Sequence, residues 1–187
     1  MTAAAFRAAK GAGLEYLADI VRHGLFVSQG HRDDVSVALV LEKSRDYSRV
    51  VELQGARLGE LGGFSESALL NVIAEALAVA ENLGKEESVT DDRGVRVTTR
   101  SFESLVRERA ETGAVYLLDG DGTDVRSVEF PENPVFVLTD HTPMPKNTYK
   151  SMARQGVEKL SLGPSMLHAA QCLTIVLNEL DRQRITR

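Results

Sequence analysis

Two short apolar runs in the last third of the chain each end in polar or glycine-containing residues. Val135–Leu138 is continuously apolar, which is typical of a strand buried on both faces, and it ends at Thr139-Asp140-His141. Val157–Leu160 is a second predicted strand, and the loop 161–165 follows it. In open α/β sheets ligands collect just outside the carboxyl ends of the strands, so we expect a small ligand to bind at these two loops.

The loop after the second strand has residues suited to a close backbone approach. Gly163 has no Cβ, so the main chain there can come near a ligand, and Pro164 stiffens the loop. Ser165 is predicted to be the N-cap of the final helix, because a serine hydroxyl accepts hydrogen bonds from the free amides of a first turn. The helix itself is predicted from apolar residues at helical spacing: Leu167, Cys172, Ile175, Val176 and Leu180.

Helical and strand patterns alternate along the preceding part of the chain. An apolar stripe from Leu14 to Val27 predicts a helix, and a second helix is predicted from an N-cap at Ser65 to about Asn82. A third helix is expected between Ser101 and Gly113. Strands are predicted at 35–41 (buried), at 50–53 (the outer half of a hairpin-like excursion), at 95–99 and at 114–118, with a charged loop at 84–94 and a turn at 119–122.

This alternation indicates an α/β fold with a mostly parallel sheet. A length of 187 residues is typical of one domain with a substantial core. We expect residues 1–12 to be poorly ordered and residues 13–187 to form that single domain.

Composition and charge restrict the function classes. The net charge of −5 and the pI near 5.4 argue against nucleic-acid binding through bulk attraction, although a local basic patch would suffice for RNA contact. One cysteine provides no disulfide framework and fits a reducing cytoplasm. No apolar run approaches the length of a membrane span, so we expect no membrane partner.

Common metal and nucleophile motifs are absent from the sequence. The four histidines lack metal-ligand spacing, and the segment 119–130 fails as a calcium loop because its twelfth position is Phe130 rather than glutamate. We therefore predict no metal. Cys172 lies within an apolar helical face, where a buried structural thiol is the expected role. There is neither a Gly-x-Ser-x-Gly elbow nor a Gly-x-Gly-x-x-Gly dinucleotide motif.

Three segments in order carry a family resemblance: FVLTDH, SLGPSMLHAAQC and VLNELDR. Together they resemble the C-terminal signature of the archaeal tRNA pseudouridine N1-methyltransferase family, a branch of the SPOUT superfamily of knotted RNA methyltransferases. The earlier segment LFVSQGHRDDVSVALVLE is similar to the N-terminal block of that family. The resemblance runs, with gaps, from about Gly13 to Arg182. The chain departs from it at Asp33, where a basic residue is expected, and at Thr139, where glycine is usual.

The resemblance implies a fold, a cofactor and an oligomeric state. It implies an α/β sheet with helices on both faces, a C-terminal trefoil knot over about residues 134–187, and a homodimer. It also implies S-adenosylmethionine (SAM) as cofactor, contacted largely by main chain. Carried onto this sequence, the cofactor contacts are Leu138, Gly156, Leu160, Ser161, Leu162, Gly163, Leu167 and Cys172.

The catalytic candidates follow from the same resemblance and from the chemistry of methyl transfer. The N1 proton of pseudouridine must leave, so an acid–base group or a cation near that nitrogen would assist. Arg32 and Asp34 fall on the family's Arg and Asp, and Asp140 lies at the end of the first strand. The alternatives are a phosphate-binding role for Arg32, an Asp34 that caps the turn before Val35, and loop hydrogen bonding by Asp140.

Three functions are therefore considered. The first is a SAM-dependent methyltransferase that acts on the pseudouridine at position 54 of tRNA, or a close homologue of such an enzyme. The second is a knotted SAM-binding enzyme that methylates another RNA site or a small molecule, which Asp33 and the acidic balance favour. The third is a non-catalytic SAM-binding scaffold.

Overall fold

The computed structural model describes residues 3–8, 14–42, 46–139 and 144–185. The chain divides into two compact units, residues 1–102 and 103–187. None of the helices in the described ranges combines the length and the apolar content needed to cross a membrane. That residues 13–187 form a single domain and that residues 1–12 are poorly ordered both stay predictions. Within the first stretch, residues 3–8 form a helix in which Phe6 is buried.

In the part of the first unit that the structure describes there are three helices and six strands. The helices are α1 (Ala3–Ala8), α2 (Glu15–Leu25) and α3 (Glu66–Val79). The strands are β1 (Phe26–Val27), β2 (Gly30–His31), β3 (Ser36–Leu41), β4 (Arg49–Gln54), β5 (Ser88–Thr90) and β6 (Arg96–Thr99), and a 3-10 turn follows β4 at Gly55–Arg57.

An antiparallel sheet in the order β3-β4-β6-β5 supports this unit. The prediction that Val50–Leu53 is the outer half of a hairpin was wrong, since β4 pairs with both β3 and β6 and is buried along almost its whole length. Burial alternates along β3, so that strand faces the core on one side only. The charged loop at 84–94 contains the short edge strand β5.

Helix α3 begins as the sequence predicts. The Ser65 hydroxyl accepts a hydrogen bond from the Ala68 amide at 3.2 Å, an N-cap interaction that stabilises a helix by about 1 kcal/mol. The predicted apolar face is buried in the core of the unit, together with residues of α1, α2, β3 and β4: Leu69, Val72, Ile73, Ala76, Leu77 and Ala80.

The second unit contains a parallel sheet and the remaining helices. Helix α4 (Phe102–Thr112) begins at the boundary and leads into β7 (Val115–Asp124), which a 3-10 turn at Val125–Ser127 follows. The later elements are β8 (Val135–Val137), α5 (Lys146–Arg154), β9 (Glu158–Ser161) and α6 (Ala169–Ile185).

The three strands of this sheet are parallel, in the order β8-β7-β9. Lys159 and Leu160 are neighbours in β9 and therefore point to opposite faces of the sheet. Lys159 lies 5.8 Å from the ring of Tyr149 in α5, whereas Leu160 belongs to an apolar cluster that Leu180 of α6 joins. Helices α5 and α6 therefore contact the two opposite faces.

The mixed α/β class is confirmed, but the prediction of a mostly parallel sheet was wrong. Among the described residues only the three-stranded sheet is parallel, and the larger sheet is antiparallel. The segment Asp119–Gly122 is also more than a turn, because β7 continues through it and pairs with β9 a second time at Thr123 and Asp124.

Candidate active site

The two predicted binding loops lie at the same edge of the parallel sheet. Val137 at the end of β8 pairs with Leu117 of β7, and Leu160 near the end of β9 pairs with Leu118. Because all three strands run in one direction, Leu138 and the loop 161–163 both follow the carboxyl ends of strands that flank β7. The structure thus brings Leu138, Leu160, Ser161, Leu162 and Gly163 to one edge.

Gly163 provides an open stretch of backbone at this edge. Its φ of +120° lies in a region that side-chain-bearing residues rarely adopt, and a Cβ built there meets nothing within 4 Å. The Gly163 amide donates to the Ser161 hydroxyl at 3.3 Å, which shapes the turn between them. Leu138, Ser161 and Leu162 are half-buried and Gly163 is exposed, so the edge combines apolar side chains with accessible main chain.

Gly156 lies at the other end of β9, two residues before that strand begins. Its φ is +79°, and its amide donates to the Ala153 carbonyl at 3.2 Å while the Val157 amide donates to Met152 at 3.1 Å. This pair of bonds is a Schellman motif, which ends α5 and requires a left-handed residue. The glycine is explained by that helix end, and the structure separates it from the edge that carries Gly163.

The final helix begins later than the sequence predicts. Ser165 is not its N-cap, because α6 starts at Ala169 and the His168 amide donates to the Gln171 side chain at 2.9 Å. A side chain inside the first turn therefore satisfies an amide that the predicted serine would have satisfied. The residues between Gly163 and Leu167 remain an exposed loop in which Met166 is fully solvent-accessible.

Cys172 is suited to lining a pocket and unsuited to nucleophilic attack. It is half-buried, and its thiol lies 3.9 Å from the Leu167 carbonyl, which brings these two predicted cofactor residues together. Burial raises the pKa of the Cys172 thiol, so the thiol stays protonated at neutral pH.

An ion pair at the same sheet edge was missed in the sequence. Asp119 follows Leu118 of the central strand, and its carboxylate lies 2.7 Å from the Lys159 ammonium. Hydrogen bonds from Lys159 and from the Asp121 amide lower the pKa of Asp119, and the bond to Asp119 raises the pKa of Lys159. The signal in the sequence was that Lys159 is next to the buried Leu160 in β9, because consecutive strand residues point to opposite faces and the lysine therefore points away from that apolar core.

Two catalytic candidates lie in the first unit, in the loop between β2 and β3. The Arg32 amide donates to the Leu25 carbonyl at 2.6 Å, and the Gly55 amide donates to the Val35 carbonyl at 2.9 Å. His31 Nε2 donates to the Gly55 carbonyl at 2.9 Å, and a Cβ on Gly55 would overlap the carbonyl of Arg32. These contacts fix the backbone that carries Arg32, which is half-buried, and Asp34, which is exposed.

The third catalytic candidate, Asp140, lies outside the described residues, as does His141. In the described ranges there is no group of three or more His, Cys, Asp or Glu side chains placed to hold a metal ion. The site residues that the structure does describe are Arg32 and Asp34 in the first unit and the cofactor residues in the second.

Comparison with known proteins shows which family the chain is similar to. Residues 1–185 match the family described as "Putative SAM-dependent RNA methyltransferase". Curated relatives named "Putative pseudouridine methyltransferase" include one from Alcanivorax borkumensis, 46% identical over 89% of this chain and 84% of its own. A relative from Vibrio cholerae is 45% identical over 90% of this chain and 84% of its own. A relative from Shewanella frigidimarina is 47% identical over 89% of this chain and 84% of its own.

The solved structures that are similar in fold include the following one. It is the Archaeoglobus fulgidus Nep1 protein bound to S-adenosylhomocysteine, with a TM-score of 0.52 at 14% sequence identity. The similarity covers 73% of this chain and 58% of that one.

Proposed function

We propose that this chain, which belongs to the family of SAM-dependent RNA methyltransferases, transfers a methyl group to N1 of pseudouridine in RNA, with tRNA as the preferred substrate. The observation that carries the proposal is the set of curated relatives named for pseudouridine methylation, which are 45% to 47% identical over about nine tenths of the chain. The family match makes the chain a SAM-dependent enzyme, and the relatives support the choice of nucleoside.

The residues at the sheet edge fit a SAM molecule. Gly163 leaves open space where any other residue would carry a side chain, and Leu138 and Leu162 offer half-buried apolar surface beside accessible main chain. The protonated Cys172 thiol adds a neutral wall near Leu167. This is the main-chain-rich, uncharged lining that the adenosine part of such a cofactor needs.

In the proposed reaction, pseudouridine provides the nucleophile and the protein aligns it. Bound SAM would supply the methyl group, whose bond to the positively charged sulfur breaks, with its electron pair going to the sulfur, as the bond to N1 forms. The N1–H bond breaks as the N1–carbon bond forms, so one proton leaves the base for each methyl group gained. Arg32 would stabilise negative charge that builds up on the uracil ring, and Asp34 or Asp140 would accept the proton.

The proposal includes a homodimer, a trefoil knot over about residues 134–187 and a cytoplasmic location. The family resemblance supports the dimer and the knot. The single cysteine accords with a reducing compartment. Light scattering after gel filtration tests the dimer.

The test of the reaction uses two RNA transcripts that differ in one nucleoside. One tRNA transcript carries pseudouridine and the other carries uridine, whose N1 is bonded to ribose and has no proton to lose. After incubation with methyl-labelled SAM, nucleoside digestion should yield N1-methylpseudouridine from the first transcript only. Label in both transcripts, or in another nucleoside, would contradict the proposed substrate and would favour methylation of another RNA site.

A further inference from the structure

An exposed aromatic ring in the first unit contacts Phe26, a residue of the β1–β2 pair that precedes Arg32. Phe64 is 64% exposed, and its ring contacts Phe26 with the two centroids 5.9 Å apart and the planes tilted by 44°. Phe26 is opposite His31 in the β1–β2 pair, and His31 precedes Arg32. Phe64 therefore contacts Phe26, and the strand partner of Phe26 is the residue before the proposed catalytic Arg32.

The loop that presents Phe64 is anchored before and after it. Leu58 and Leu61 pack against the core, and the Gly59 amide donates to the Arg93 carbonyl at 2.9 Å. The chain then turns through two left-handed glycines, Gly62 at φ +74° and Gly63 at φ +120°. These contacts hold the segment in one path that leads away from the core toward Phe64.

The other side of Phe64 is fixed as well. The Arg22 guanidinium donates from Nε to the Phe64 carbonyl at 2.9 Å, and its NH1 lies 2.6 Å from the Asp19 carboxylate. The next residue, Ser65, is the N-cap of α3. The main chain at Phe64 is thus preorganised, so binding through its ring would carry a small entropic cost.

The acidic net charge bears on how this protein would gain affinity for RNA. With a net charge of −5, attraction to the phosphate backbone is a weak source of RNA affinity for this protein. Stacking of a nucleobase on an aromatic side chain needs no net positive charge and contributes about 1–3 kcal/mol per base, which corresponds to roughly 5-fold to 150-fold in affinity.

We propose that Phe64 is a stacking platform for an unpaired base of the RNA substrate. Phe26 supports the ring from one side and Arg22 holds its backbone. The inference rests on the proposed function only in that it needs an RNA substrate. It adds a binding residue that acts before the chemical step.

The chain contains no tryptophan, which makes a direct test available. The Phe64→Trp variant carries one indole at the proposed platform, and a stacked base quenches indole fluorescence. The matched control is Val79→Trp, since Val79 is 56% exposed and lies at the far end of α3, about 20 Å along the helix from Ser65. Titration with single-stranded oligouridine, and then with the pseudouridine transcript, should quench the first variant and leave the second unchanged.

A second set of variants separates stacking from general apolar contact. Phe64→Ala and Phe64→Leu should each weaken RNA binding by about tenfold in fluorescence anisotropy, because neither offers a flat aromatic face, whereas Phe64→Trp should retain affinity. SAM affinity, measured by calorimetry, should stay at the wild-type value in all three, and melting should remain cooperative, with a small decrease in melting temperature where the ring contact with Phe26 is lost. These two measurements identify any variant that has lost its fold.

Three results would overturn the inference. Equal RNA affinity of wild type and Phe64→Ala, with methylation intact, would remove the platform while leaving the proposed function in place. A change from dimer to monomer in Phe64→Ala without a change in RNA affinity would make the ring an interface between copies of the chain. Absence of RNA binding by the wild-type protein would reject both the platform and the proposed function.

Discussion

Gly122 and Gly120 lie two residues apart in β7 but have different surroundings, and this contrast gives the most specific prediction. A Cβ built on Gly122 would stand 2.6 Å from the carbonyl carbon of Lys159 and nearer still to the amide nitrogen of Leu160. Both atoms are backbone of β9, so no side-chain rotation can relieve the overlap. A Cβ on Gly120 meets nothing within 4 Å.

The expected cost of Gly122→Ala follows from the need to displace β9. Overpacking typically costs about 1–3 kcal/mol, and we expect the upper end because backbone has to move. For a chain of this size about 3 kcal/mol corresponds to a decrease of roughly 6–12 °C in melting temperature. Since β9 leads directly into the loop 161–163, SAM affinity should fall in parallel.

Thermal denaturation and SAM calorimetry on both glycine variants provide the measurement. Gly120→Ala should melt within about 1 kcal/mol of wild type and bind SAM normally, since an exposed alanine mainly reduces the entropy of the unfolded chain. If the two variants lose stability and cofactor affinity to the same extent, the second pairing of β7 with β9 is not what positions the cofactor loop.

Three further predictions address single residues. Gly163→Val should abolish SAM binding, because a branched side chain would occupy the open space at φ +120°; unchanged SAM affinity would refute that placement. Arg32→Ala should weaken RNA binding about tenfold and leave SAM affinity intact, as measured by anisotropy and calorimetry, whereas equal loss of both would give Arg32 a structural role. Asp119→Asn should lower stability by less than about 1 kcal/mol at neutral pH, as expected for a partly exposed ion pair. Lys159 holds the pKa of Asp119 below its usual 3.8, so the pair stabilises the protein above that value and the deficit of the variant should vanish as pH falls through the lowered pKa. Melting curves at neutral and acidic pH check this, and a deficit that stays constant with pH would argue against the ion pair as its source.

The parts of the fold that depend on local chemistry could be predicted from the sequence. The Ser65 cap and the buried face of α3 were confirmed, because capping and helical periodicity act within a few residues. The two strand ends at Leu138 and Ser161 were confirmed as neighbours of one sheet edge, since apolar runs followed by polar loops mark the ends of parallel strands. The family and its cofactor were identified from the ordered C-terminal segments and confirmed by the family match.

The errors concern pairing between distant segments. Val50–Leu53 gives the same apolar signal in a central strand as in an outer one, and only its partners at β3 and β6 decide between them. The turn chemistry at 119–122 is confirmed by the hydrogen bond from the Asp121 amide to the Asp119 carboxylate, but the second pairing of β7, at Thr123 and Asp124, depends on β9 some forty residues later and could not be predicted locally. At Ser165 a competing group, the Gln171 side chain, serves the first turn of a helix that begins later.

The order β8-β7-β9 also bears on how the protein is made. The middle strand is synthesised first and the strands on either side are added afterwards, so the proposed ligand-binding edge exists only once β9 has left the ribosome. The amino-terminal unit, with its own sheet and core, can complete folding before then. The proposed site therefore predicts that the methyl donor is bound late in the folding of each new chain, and a donor added during refolding should stabilise only molecules in which all three parallel strands have come together.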